Sequence, residues 1–190
     1  MSCTEGRSNL VENDQERTVT MRVDRPTEDD WQRVRSIRLR ALADAPDAFA
    51  RTFAEEAAFA EADWRKRLSS GSTTFIAVED DADVGMVTGA GRRDNPGTAG
   101  LYGMWVAPGN RRNGVALGLV RAVVDWARSN GFSEVALHVA DQNSAAIQLY
   151  EQMGFAPTGG ISTLPPPREH ITEHERSLSL GETICDATIA

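Results

Sequence analysis

The chain has 190 residues, 41% of them apolar and 25% charged, which suits one domain with a full hydrophobic core and excludes disorder over its whole length. Its net charge of -8 argues against a nucleic-acid partner, whose phosphates need a basic surface, and agrees better with a cationic or neutral small substrate. No apolar run approaches the ~20 residues that span a bilayer, and Met1 to Thr18 carries acids and amides where a secretory leader needs a cationic start, so a cytoplasmic protein with no membrane partner is expected.

Residues 1–18 are polar and unpatterned and read as a flexible arm, followed by a single domain over 19–180 and a short tail over 181–190. A β-type run from Thr18 to Val23 is the first strand. Thr27 opens a helix, with Asp30 placed for a capping box; Trp31, Val34, Ile37, Ala41 and Leu42 recur at helical spacing until Pro46. A second helix is expected from Glu55 to Leu68, burying Phe53, Ala57, Ala60, Trp64 and Leu68. The period then changes: Thr73–Glu79 and Val84–Ala90 form a hairpin about the turn Asp80-Asp81-Ala82-Asp83, and Leu101–Ala107 is a further strand. Gly114 to Asn130 is a strongly amphipathic helix closed by Gly131, Glu134–Ala140 a strand, and Asn143–Met153 a helix stopped by Gly154. Phe155 and Ala156, a Gly/Pro-rich loop and a strand from Ile171 to Leu180 complete the chain. Hairpins first and crossovers later predict an α/β fold, a mixed, mainly antiparallel twisted sheet with helices on both faces.

The chemistry concentrates between Met104 and Ala116. A strand ends at Pro108, a polar loop follows, and a helix begins near Gly114, so unpaired backbone N–H groups point outward at the positive helix end. That arrangement suits a phosphate. Arg111 and Arg112 add charge-assisted donors, although arginines in such a loop are commonly just solvated. Neither the dinucleotide fingerprint nor the triphosphate loop is present.

The stretch from Trp105 to Val120 resembles the acetyl-CoA pyrophosphate motif of the GNAT acetyltransferase superfamily, Arg/Gln-x-x-Gly-x-Gly/Ala, through Arg111, Gly114 and Ala116. The later run from Leu137 to Phe155, LHVADQNSAAIQLYEQMGF, resembles the second signature of the same family, in the family's order and spacing. The resemblance covers about Val19 to Leu180, most strongly in the second half. It implies acetyl-CoA as acetyl donor and an amine, on a small molecule or a protein, as acceptor. It further implies that Trp105 and Val106 pair with the pantetheine arm, that main-chain N–H groups from Arg112 through Asn113, Gly114 and Val115 to Ala116 hold the pyrophosphate, that Asn143 bonds the cofactor arm, and that Tyr150 sits near the sulfur. Arg112 departs from the pattern, since glycine is common at that position.

Acetyl transfer to an amine needs a base for the ammonium proton and a partner for the departing thiolate. Tyr150 falls on the sheet-facing side of its helix with Ala146, Leu149 and Met153 and suits the second task, but packing alone also explains it. His138 lies on the strand face opposite Val135, Leu137 and Val139, at a place where some family members carry a glutamate base; a structural histidine is the competing reading. Tyr102, Glu79 and Glu134 are reserves, and the fourth strand itself holds no carboxylate. Asp44, Asp47, Glu55 and Glu56 are placed to attract a cationic acceptor or to form a solvated face. His170 and His174 beside three prolines, and the terminal Cys3 and Cys185, mark no metal site and no nucleophile. A non-catalytic acyl-CoA-binding protein and a transferase of longer acyl groups are the alternative functions, and the oligomeric state stays open between monomer and homodimer.

Overall fold

Continuous burial along Thr73–Glu79 and along Val84–Val87 shows two strands covered on both faces, as the central strands of a layered sheet must be. The computed structural model describes residues 21–69 and 71–181. The arm over 1–18, the opening residues of the first strand, the tail from 182 and both cysteines lie outside the described residues. The strands are β1 (Arg22–Asp24), β2 (Ser72–Glu79), β3 (Ala82–Gly91), β4 (Thr98–Val106), β5 (Glu134–Ala140), β6 (Ala156–Thr163) and β7 (Thr172–Ser179). They form one seven-stranded sheet in the order β1-β2-β3-β4-β5-β7-β6. Every neighbouring pair is antiparallel except β4–β5. The mixed, mainly antiparallel sheet is thus as expected.

Helices cover both faces. On one side α1 (Trp31–Asp44) packs Val34, Ile37, Ala41 and Leu42 against Ile76, Val78, Met86 and Trp105. On the other, α4 (Val115–Ser129) packs Leu119, Val120, Val123 and Ala127 against Phe75, Ala77, Val87 and Val135. Each large side chain buried in this way contributes about 1.5–3 kcal/mol. Gly89 on β3 brings α4 close: a Cβ there would lie 2.8 Å from the Trp126 ring. The fifth helix, α5 (Ser144–Gln152), adds Tyr150 to the same core.

Three local expectations change. The hairpin turn is two residues, not four, because Asp80 and Asp81 both take positive φ (47° and 61°) and let Glu79 pair with Ala82. The strand expected at Phe155 and Ala156 runs on as β6 through the Gly/Pro-rich segment to Thr163, exposed along almost its whole length at the sheet edge, so no buried alternation marked its extent. The helix expected over Glu55–Leu68 is two, α2 (Phe53–Ala57) and α3 (Glu61–Ser69), and Phe53 is 46% exposed. A fresh start interrupts the expected helix: Glu55 accepts the Thr52 N–H at 2.6 Å in the cap that opens α2, and Asp63 accepts the Ala60 N–H at 3.0 Å in a second cap that opens α3. The break lets both Trp64 and Glu56 turn inward, each fully buried.

Glu56 therefore does not belong to a solvated acidic face. It accepts from Arg38 Nη2 and Arg67 Nη1, each at 2.8 Å, and ties α2 to α1 and α3. Burial pushes its carboxyl upward, but the two arginines outweigh burial and hold it at about 2. Because the folded value lies below the unfolded one, the stabilisation is complete above about pH 5 and is lost as pH falls toward 2. Glu56→Gln should cost about 3 kcal/mol at pH 7, since it strands two guanidinium groups. Urea denaturation should show the wild-type advantage shrinking at pH 3; an equal gap at both pH values would refute the pair's role.

Candidate active site

The site begins as a defect in the sheet. β4 and β5 pair only over Thr98–Gly100 and Glu134–Ala136, although β4 runs on to Val106 and β5 to Ala140. Beyond Gly100 the ladder between β3 and β4 shifts register between Met86 and Thr88, with Gly103 at φ 60°. A bulge of this kind bends its strand, and here β4 leaves its parallel neighbour. The facing edges of the two strands therefore carry main-chain N–H and C=O groups without a strand partner.

Two cavities of about 450 and 640 Å³ occupy the opening and share Ala45, Ala48, Met104, Asn143 and Ala146 as lining. The outer one runs from the start of α4 past Trp105 and Val106 to Leu149 and Gln152 on α5. Gly114 precedes α4 with φ 83°, and no side chain caps the helix. The first intrahelical bond is the Gly118 N–H to the Gly114 carbonyl, which leaves the N–H groups of the first turn free of helical partners. A Cβ at Gly114 would meet nothing within 4 Å, so the approach is open. Arg112 also has positive φ (70°), which turns the loop as the commoner glycine would, at a backbone cost of about 1–2 kcal/mol. Arg112 and Asn113 are exposed, and Ala116 lines the cavity; the Val115 side chain is buried in the core, leaving only its main chain for a ligand.

Two of the predicted binding residues are already engaged within the protein. Arg111 Nε donates to the Val106 carbonyl at 2.9 Å and its Nη2 to Asp44, which also accepts from Trp105 Nε1 at 2.9 Å. Asp44 thus clips the loop to α1 instead of waiting for an acceptor. The Asn143 Oδ1 accepts the Ala146 N–H at 3.2 Å and caps α5, while Asn143 still lines both cavities.

The inner cavity passes through the opened sheet. Tyr150 reaches it from the α5 side, His138 and Glu173 from the other. The pairing of β5 with β7 explains the second group: Ala140 stands opposite Glu173 and His138 opposite Glu175, so all four share a face. Tyr150 is 5% exposed, burial drives its phenol well above the ordinary value, and among the described residues its hydroxyl donates only to Met104 Sδ, at 3.8 Å. Burial likewise raises the Glu173 carboxyl, with His138 opposing the shift. Asp44 and Asp47 complete the acidic lining, and among the described residues no lysine or arginine lines this cavity.

Glu173 was not singled out in the sequence, because only the β5–β7 register brings it beside His138. The reserves lie elsewhere: Glu79 is bonded by Asn110 at 2.6 Å, Glu134 by Thr98 at 2.8 Å, Tyr102 lies over Gly100, and none lines either cavity. Glu55 is engaged in the α2 cap. His174 pairs with Asp141 at 2.9 Å, and among the described residues no cluster of three or more His, Cys, Asp or Glu is placed to hold a metal ion. Among them, too, no helix is long and apolar enough to cross a membrane.

A family model described as the acetyltransferase (GNAT) family matches residues 31–155. N-acetyltransferase 8 of Homo sapiens is 39% identical over 93 residues, 47% of this chain and 40% of that protein. Streptothricin acetyltransferase of Streptomyces lavendulae is 32% identical over 109 residues, 57% of this chain and 58% of that one. The chain thus spans about half the length of the curated relatives it matches. A putative acetyltransferase from Salmonella typhimurium, solved with its cofactor acetyl-CoA, shares the fold with a TM-score of 0.67 at 20% identity, over 88% of this chain and 99% of that one.

The weak contact of the Tyr150 hydroxyl sets an expectation about stability. Tyr150→Phe should change the unfolding free energy by less than about 1 kcal/mol, because only a thioether acceptor is lost. Urea denaturation measures this, and a larger loss would show that the hydroxyl is structural.

Proposed function

The chain belongs to the GNAT family of acetyltransferases, and we propose that it moves the acetyl group of acetyl-CoA to a primary amine by direct attack on the thioester. The observation that carries this reading is the opening between β4 and β5, with an uncapped helix start at one end and Tyr150, His138 and Glu173 at the other. The residues at the helix start suit a diphosphate: main-chain N–H groups from Arg112 to Ala116, an open approach over Gly114, and a positive dipole end. Trp105 and Val106 on the free edge of β4 and Asn143 on α5 line the path between the two ends. Acetyl-CoA, when bound, supplies the activated carbonyl.

The chain's own groups then handle protons and charge. An amine enters as an ammonium, drawn by Asp47 and Glu173. His138 accepts the ammonium proton, so that the free lone pair forms the N–C bond as the C–S bond breaks. Tyr150, held protonated by burial, donates a hydrogen bond to the departing sulfur and keeps its own proton, since its pKa far exceeds the ~8.5 of a thiol; the second proton, shed by the nitrogen as the amide forms, passes to that thiolate. Direct attack is favoured because no cysteine occurs between residues 4 and 184 to carry the acetyl group.

Calorimetry with coenzyme A and a thiol-release assay with acetyl-CoA test the reading together. The amine panel is n-pentylamine, cadaverine, spermidine, lysine, a peptide with a free amino terminus, and streptothricin, included because a relative is named for it. Saturable coenzyme A binding and amine-dependent thiol release are expected. Binding without release from any amine would favour a non-catalytic acyl-CoA-binding protein. Tyr150→Phe should lower turnover about 10- to 100-fold with unchanged acetyl-CoA affinity, and His138→Gln should remove the acidic limb of kcat/KM, the fall in rate as the base becomes protonated. If His138→Gln keeps that limb and Glu173→Gln loses it, the base is Glu173.

A further inference from the structure

Arg168 lies in the turn between β6 and β7 and is only 9% exposed. Its Nη1 donates to the carbonyls of Pro46 and Phe49, the latter at 2.8 Å, and its Nη2 to the carbonyl of Ala50 at 3.1 Å. All three acceptors belong to the single turn that joins α1 to α2, 118 to 122 residues away in the chain. Its Nε is buried without a partner among the described residues. A buried guanidinium with an unmet donor costs free energy, and here the compensating bonds all immobilise one loop.

That loop is a wall of the inner cavity. Pro46, Asp47 and Ala48 line it on one side, and Glu173, at the start of β7, lines it on another. Arg168 lines neither cavity, yet it joins the two segments that do. The outer cavity, where the diphosphate would be held at the start of α4, takes only the small side chains Ala45 and Ala48 from this side; its polar side chains come from other elements. We infer that Arg168 is a positioning residue for the acceptor amine: it holds the 46–50 turn, and with it Asp47, at a fixed distance from β7. This inference rests on the acyl-transfer reading above.

The test uses Arg168→Met, which removes the donors, and Arg168→Lys, which keeps the charge but not the fork, in the full chain with cadaverine as acceptor. Arg168→Met should raise the cadaverine KM about tenfold while kcat stays within about threefold, with acetyl-CoA affinity unchanged. Arg168→Lys should recover part of the loss. Amide hydrogen exchange in Arg168→Met should quicken over residues 45–50 and not across the sheet. An unchanged cadaverine KM, or acetyl-CoA affinity falling in step with the thermal midpoint, would overturn the positioning role. If the wild-type protein binds acetyl-CoA but acetylates no amine, the acyl-transfer reading fails, and exchange alone judges the brace: unchanged protection over 45–50 in Arg168→Met overturns it.

Discussion

The candidate site depends on a sheet that fails to close. β4 and β5 are parallel neighbours for three residues and then part, so main-chain groups that would have satisfied each other are left facing an opening. In a protein interior such groups need other partners, and an extended polar chain laid between the strands would provide them. The bulge near Gly103 is the local cause. Because the opening passes through the sheet, residues from opposite faces can meet in one cavity, which no intact sheet would permit.

An opened sheet needs support from outside its own ladder, and arginines supply it on the α1 side. Arg38 and Arg67 converge on Glu56 beneath α1, Arg111 and Asp44 fasten the α4 loop to the end of α1, and Arg168 clasps the following turn. These contacts are charge-assisted and planar in geometry, so they fix orientation as well as distance. Of the two arginines that line the outer cavity, Arg111 is spent on internal bonds, and the inner cavity keeps an acidic lining.

Much of the architecture was legible because burial writes a period into the chain. The stripe of Leu119, Val120, Val123 and Ala127 predicted α4 to within a residue at each end, and Gly131 ended it as expected. The extent of β6 beyond Phe155 and Ala156 was not legible, because an edge strand with both faces exposed has no apolar alternation to read. The single helix over 55–68 failed for the opposite reason. Phe53 and Ala60 continued an apolar spacing, while a new cap at Ala60 and the burial of Glu56 broke the helix.

For the site, local sequence sufficed wherever chemistry depends on neighbours along the chain. Positive φ at Gly114, an uncapped helix start and the inward side of α5 all follow from short-range geometry, so Gly114 and Tyr150 could be picked out directly. Glu173 beside His138, Asp44 turned to Arg111 and Trp105, and Arg168 bound to a turn more than a hundred residues away could not. Those pairings come from strand register and from which buried charge finds which partner, and both are decided only when distant segments pack.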